Sequence, residues 1–146
     1  MKHQATCVAI AGSAVLIEGP PGAGKSSLAL ALIDRGAVLV GDDGVVLQRD
    51  GARLLASPVP ETAGLLEVRG IGLVPMPVAH GVPVALVIAL DKEGPRFIEV
   101  AETALRHGAA LPLIRLWPES PVLHLRAEMA LRIHGLKAGV MSPRET

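Results

Sequence analysis

The stretch Gly19-Pro20-Pro21-Gly22-Ala23-Gly24-Lys25-Ser26 carries residue types and a spacing that could do chemistry. A glycine, four residues, a second glycine, a lysine and a hydroxyl residue make the spacing of a phosphate-binding loop. Glycines let consecutive backbone N–H groups turn inward around phosphate oxygens with no Cβ in the way. A helix starting at the end of the loop adds the partial positive charge of its N-terminus. Lys25 is then placed to reach the β- and γ-phosphates of ATP, and the Ser26 hydroxyl to ligate Mg²⁺. The flanks agree, because Val15-Leu16-Ile17 predicts a strand before the loop and Leu28-Ala29-Leu30-Ala31-Leu32 a helix after it. The expected nucleotide-binding stretch is Gly19, Pro20, Pro21, Gly22, Ala23, Gly24, Lys25, Ser26 and Ser27.

Such a loop needs a carboxylate to position the metal or to accept a proton, and two sets compete. Asp42-Asp43 follow the strand that comes after the loop's helix. Strands joined by a helical crossover end on the same edge, which brings this pair near the γ-phosphate. Asp91 follows the apolar run Ala85-Leu86-Val87-Ile88-Ala89-Leu90 and suits a small ATPase or metabolite kinase equally well. Spacing alone favours neither.

The elements that must position these groups read as one domain over residues 1–146, with a tail that frays from about residue 140. Thr6–Ile10 and Ala14–Glu18 flank Ala11-Gly12-Ser13 as a hairpin. A helix over Ser26–Asp34 ends at Gly36. Strands are expected at Ala37–Val40, Val45–Gln48, Arg53–Ala56, Leu65–Val68, Ile71–Val74, Val82–Leu90 and Leu113–Leu116. Helices are expected near Ala101–His107 and from about Pro121 to Ile133. Hairpins on both sides of the first helix predict an α/β fold with a mixed, strand-rich sheet.

Composition removes several classes. Fourteen basic and 14 acidic residues cancel, and the aromatics are Phe97 and Trp117. Neither a basic field nor a stacking platform is present, so nucleic acid is not an expected partner. No apolar run approaches the roughly 20 residues of a membrane span, and no secretory leader opens the chain, so a cytoplasmic protein is expected. Cys7 reads as a small buried apolar residue. A mean hydropathy of +0.46 leaves apolar surface to spare. It goes into a large core or into a face shared with another copy, and the second option predicts a homo-oligomer.

Three segments in order resemble one family. Gly22-Ala23-Gly24-Lys25-Ser26 leads through the leucine-rich helix and Arg35-Gly36 to Leu39-Val40-Gly41-Asp42-Asp43, and then to Leu66-Glu67-Val68-Arg69-Gly70-Ile71-Gly72. From Val8 to Val74 this is similar to the catalytic domain of HPr kinase/phosphorylase, in its short form. The resemblance implies a P-loop domain akin to the nucleotide site of phosphoenolpyruvate carboxykinase. It also implies an ATP- and Mg²⁺-dependent serine kinase acting on HPr or an HPr-like phosphocarrier protein. Under it, Lys25 binds phosphate, Asp43 accepts the serine proton, and Asp42, Ser26 and Glu67 serve the metal. Arg69 and Arg96 would complete the catalytic group. The family's histidine before the loop aligns with Gln4, one residue from His3. A glycine-arginine-asparagine loop tied to the reverse, phosphorylase reaction is missing from the C-terminal third, which puts that activity in doubt. A nucleotide-sensing module with little catalysis is a further alternative.

Overall fold

A computed structural model of the chain describes residues 1–137. The short strand β1 (Lys2–His3) is followed by β2 (Thr6–Ile10) and β3 (Ser13–Glu18), which pair antiparallel. Ala11 and Gly12 both take positive φ, 50° and 85°, as a two-residue turn matched to strand twist requires. After the loop, α1 (Lys25–Asp34) buries Leu28, Ala29 and Leu32. It stops at Gly36, whose φ is 109°. There the Gly36 N–H donates to the Ile33 carbonyl and the Ala37 N–H to the Leu32 carbonyl, both at 3.0 Å. These two bonds satisfy carbonyls that would otherwise be orphaned at the helix end.

The chain continues through β4 (Val38–Gly41), β5 (Val45–Asp50), β6 (Arg53–Pro58), β7 (Leu65–Val68), β8 (Gly72–Pro75), β9 (Val82–Leu90), β10 (Glu102–Arg106), β11 (Ala109–Leu116) and α2 (Leu123–His134). The main sheet runs β1-β5-β6-β9-β3-β2-β4, with β11 also beside β9 and β10 beside β11. Strands β3, β9 and β11 are mutually parallel, and the other pairings in this sheet are antiparallel. The mixed, strand-rich α/β architecture therefore agrees with the expectation. The strands β7 and β8 form a separate two-stranded ribbon.

Both helices lie on one face, where Leu28, Leu32, Ala127 and Ala130 pack with Val8, Val15, Ile17, Leu86, Ile88 and Ile114. The other face closes Cys7, Ala14, Leu16 and Val87 against Leu47, Leu54 and Ala56 from the β5–β6 hairpin. A strand buried on both faces has no polar side to show. This explains why β3 reads as nearly continuous apolar sequence, buried from Ser13 through Ile17. Burial pushes the Cys7 thiol far above its ordinary range, which makes it an inert packing residue.

One expected element is wrong. The segment read as a helix near Ala101–His107 is the strand β10, paired antiparallel with β11 from Glu102↔Leu113 to Arg106↔Ala109. The deciding signal is His107-Gly108, where φ values of 49° and 83° make another two-residue hairpin turn. Glu102 to Arg106 contain ordinary helix formers, and tertiary pairing overrides that weak preference. The tail expected to fray from about residue 140 lies outside the described residues.

Candidate phosphate-binding site

Strands β3 and β4 are parallel to each other because each is antiparallel to β2, which lies between them. Their carboxyl ends therefore share one rim of the sheet. One carries the loop from Gly19 to Gly24 and the other carries Asp42-Asp43. This is the edge on which open α/β sheets bind their ligands.

Within the loop, Gly22 and Gly24 take φ of 81° and 100°, with open space where a Cβ would stand. Backbone conformation, not crowding, demands glycine at both positions. The Lys25 ammonium folds over the loop and donates to the carbonyls of Gly19 at 2.8 Å and Pro20 at 3.1 Å. Lys25 is also the first residue of α1, so the positive end of the helix points at the same space.

Asp42 anchors the opposite wall. Its Oδ1 accepts hydrogen bonds from Ser26 Oγ at 2.7 Å and Thr6 Oγ1 at 3.1 Å. Its Oδ2 accepts the Glu67 backbone N–H at 2.9 Å, which ties the β7–β8 ribbon to the end of β4. Thr6 Oγ1 also accepts the Asp43 N–H at 3.4 Å. Asp43 sits at φ 65°, in a sharp reversal directly after β4. Gly41 permits that reversal, since a Cβ there would run into the Gly44 carbonyl.

The result is a cleft of about 400 Å³ walled by Lys25, Ser26, Asp42, Asp43, Glu67 and Arg69. Of the expected site residues, the structure brings together the loop, Ser27, both aspartates, Glu67 and Arg69. It does not bring Arg96 to them. Arg96 lines a different groove beside α2, with Ile98, Trp117, Arg126 and Met129. The chain leaving β9 turns back at Gly94, whose N–H donates to the Asp91 carbonyl at 3.0 Å, and carries Arg96 away. Asp91 does not face Ser26 either. Its Oδ2 accepts Arg115 Nη1 at 3.2 Å and its Oδ1 the Glu93 N–H at 2.8 Å.

Among the described residues no three His, Cys, Asp or Glu form a ready-made metal cage. The donors that are present, one hydroxyl and one or two carboxylates, fit Mg²⁺, which keeps several waters and takes its other ligands from substrate phosphates.

Sequence reading missed the support behind the loop. Glu18, the residue before Gly19, accepts Arg106 Nη2 at 2.7 Å and Nε at 3.0 Å, and it pairs with His3 Nε2 at 2.8 Å. Burial works to raise the Glu18 pKa, but the hydrogen bonds from His3 and Arg106 win and hold it down to about 2. His3, one residue from the position the resemblance points to, thus belongs to the root of the loop. His107 stacks edge-on against it, with ring centroids 5.3 Å apart. Its own pKa is lowered, first by desolvation and then by the neighbouring His3. Thr6 was missed as well, and its side chain gave no motif signal.

The sheet, the loop and the carboxylates on one rim define a P-loop α/β nucleotide-binding domain. A family model described as HPr Serine kinase C-terminal domain matches residues 1–90, and the chain belongs to that family. An HPr kinase/phosphorylase from Clostridium tetani is 42% identical over 81 residues, covering 56% of this chain and 27% of that protein. One from Exiguobacterium is 47% identical over 68 residues, covering 46% of this chain and 22% of that protein. The chain thus spans about a quarter of the length of the curated relatives it matches. A solved structure titled as the Hpr(Ser) kinase/phosphatase from Coxiella burnetii superposes with a TM-score of 0.80 at 30% identity, over 90% of this chain and 88% of that one. No described helix is long and apolar enough to cross a membrane.

Proposed function

We propose that this chain is an ATP-dependent serine kinase whose acceptor is an HPr-like phosphocarrier protein. The observation that carries the reading is the 2.7 Å hydrogen bond from Ser26 Oγ to Asp42 Oδ1, with Asp43 next in the chain. It joins a hydroxyl and a carboxylate suited to hold Mg²⁺ and sets a second carboxylate beside them. Asp91, the competing candidate, is engaged by Arg115 instead.

In this reading the loop amides and Lys25 hold the phosphate tail, and Lys25 exchanges its loop carbonyls for phosphate oxygens. Mg²⁺, held by Ser26, Asp42 and Glu67, would supply charge neutralisation across the phosphates. Asp43 accepts the proton of the acceptor serine as its oxygen attacks the γ-phosphorus and the bond to the departing ADP breaks. Arg69, on the same cleft, offsets charge on the transferred group. Arg96 has no part in this scheme, because it lines another groove. Association with a second copy belongs to the same proposal, supported by exposed Phe97, Val100, Ile133 and Leu136.

The test is incubation with labelled ATP, Mg²⁺ and a purified HPr-like carrier. Acid-stable label on a serine is the expected result. Label on histidine alone, or confirmed ATP binding with no transfer, defeats the reading.

A further inference from the structure

Four side chains close a ring at the root of the phosphate loop. Glu18, the last residue of β3, accepts Arg106 at 2.7 and 3.0 Å and meets the His3 ring at 2.8 Å. Arg106 is followed in the chain by His107, whose Nε2 returns to His3 Nδ1 at 3.3 Å. The ring ties β1, β3 and the β10–β11 turn together immediately before Gly19, whose carbonyl holds Lys25. We propose that His107 is a positioning residue for the phosphate loop: its contact with His3 is a latch that holds while one of the two facing nitrogens keeps a lone pair and opens when both carry protons. The inference rests on the nucleotide reading above and adds a residue, beyond the matched segment 1–90, that keeps the loop in place.

Three observations carry it. The first is the placement of protons. Glu18 is a carboxylate that only accepts, so His3 Nε2 must donate to it. His3 Nδ1 then faces His107 Nε2, and that contact needs one N–H and one lone pair. With no added proton, or with one, a choice of tautomer meets the need. A second proton sets two N–H groups face to face, and the ring opens. The second is charge. The groups that face the pair are Glu18 on β3, Arg106 on β10, the Met1 amino group and exposed Lys2 at β1, and Arg49 on β5, whose Nη1 donates to the His107 carbonyl at 3.4 Å. Asp50, at the end of β5, is taken by Arg53 at 2.9 Å. Cations outnumber the one carboxylate, and desolvation acts with them to lower the His107 pKa. The latch is therefore intact above the ordinary histidine value of 6.5 and is lost as pH falls through the lowered native value. The third is conformation. His107 stands at φ 49° before Gly108 at 83°, a turn that Asn or Gly at its first position would satisfy. The turn itself asks for no imidazole, and the contact with His3 does.

The experiment measures Mg·ATP affinity by calorimetry at about pH 7.5 and about pH 5.5, on either side of ordinary histidine titration, for the wild-type chain, His107→Gln and His107→Ala. Glutamine sets an amide N–H near the place of Nε2 and does not titrate. Protonation of ATP itself is common to all three chains and cancels in the ratio of variant to wild type. His107→Gln should match the wild type within about twofold at the higher pH and bind about threefold or more tighter than it at the lower. His107→Ala should bind about threefold weaker than the wild type at the higher pH. A ratio of His107→Gln to wild type that does not change with pH overturns the latch, and so does full affinity in His107→Ala. Histidine ring signals in NMR titrations of the free chain give a readout that needs no nucleotide. His107 should titrate at higher pH in His3→Gln than in the wild type, and an unchanged titration overturns the pairing. If the wild type binds no Mg·ATP at either pH, the nucleotide reading has failed and the positioning role with it. The NMR titration tells that outcome apart from a latch that never forms.

Discussion

Arg106 Nη2 donates to Glu18 Oε1 at 2.7 Å across 88 residues of sequence, and this pair fastens the root of the phosphate loop to the β10–β11 hairpin. Arg106 lies beyond the segment that the family model matches, residues 1–90, so a part of the chain outside the shared pattern holds the shared motif in place. Its own pKa is raised, chiefly by the hydrogen bond to Glu18, so it stays charged throughout the accessible range.

Removing this arginine leaves a largely buried carboxylate with His3 as its remaining partner. Arg106→Ala is expected to destabilise the fold by about 1.5–3 kcal/mol, the range for a hydrogen bond to a charged group. Urea unfolding followed by circular dichroism measures it, and a loss below about 0.5 kcal/mol contradicts the role given to the pair.

The same pair sets an acid limit. The Glu18 pKa is lowered from 4.5 to about 2 in the folded chain, so the native state binds fewer protons than the unfolded one between those values. The stabilisation is complete above pH 4.5 and is lost as pH falls through the native value. Acid unfolding of Arg106→Ala should therefore begin at higher pH than in the wild type, in a melting series taken from neutral pH downward. Identical acid limbs would show that the pair is not what sets the limit.

Asp43→Asn should keep ATP binding and cut serine phosphorylation by about 10²–10⁴, the usual contribution of a positioned base. Asp91→Asn should leave transfer near the wild-type rate. The reverse ranking in a labelled-phosphate assay would move the chemistry to Asp91.

Lys25→Ala removes a half-buried side chain whose partners are two loop carbonyls. Its melting temperature should stay close to wild type while Mg·ATP affinity drops by about tenfold or more. Retained affinity by calorimetry would undo the assignment of the loop.

Gly41→Ala tests the turn that delivers the aspartates. The new methyl would meet the Gly44 carbonyl and the Val45 side chain, and backbone cannot yield as a flexible side chain does. A cost of about 1–3 kcal/mol in chemical denaturation is expected, together with weaker Mg²⁺-dependent nucleotide binding. Unaltered stability would mean that the Asp42-Asp43 turn relaxes freely.

The phosphate loop was legible in the sequence because its function lies in local backbone conformation. Positive φ at Gly22 and Gly24, a lysine and a hydroxyl at the start of a helix are all encoded within eight consecutive residues. The aspartate pair could be placed on the correct rim by the same-edge rule alone, even though β2 intervenes between β3 and β4. Choosing Asp42-Asp43 over Asp91 from residues alone was not possible, since both end apolar strands. That choice came from the resemblance, and the Ser26–Asp42 hydrogen bond, a contact between elements 16 residues apart, now supports it. Only the tertiary structure turned Glu102–Arg106 into a strand, carried Arg96 into another groove and set Arg106 against Glu18. Local preference in each of those segments is weak, so pairing and burial with distant partners decided their shape.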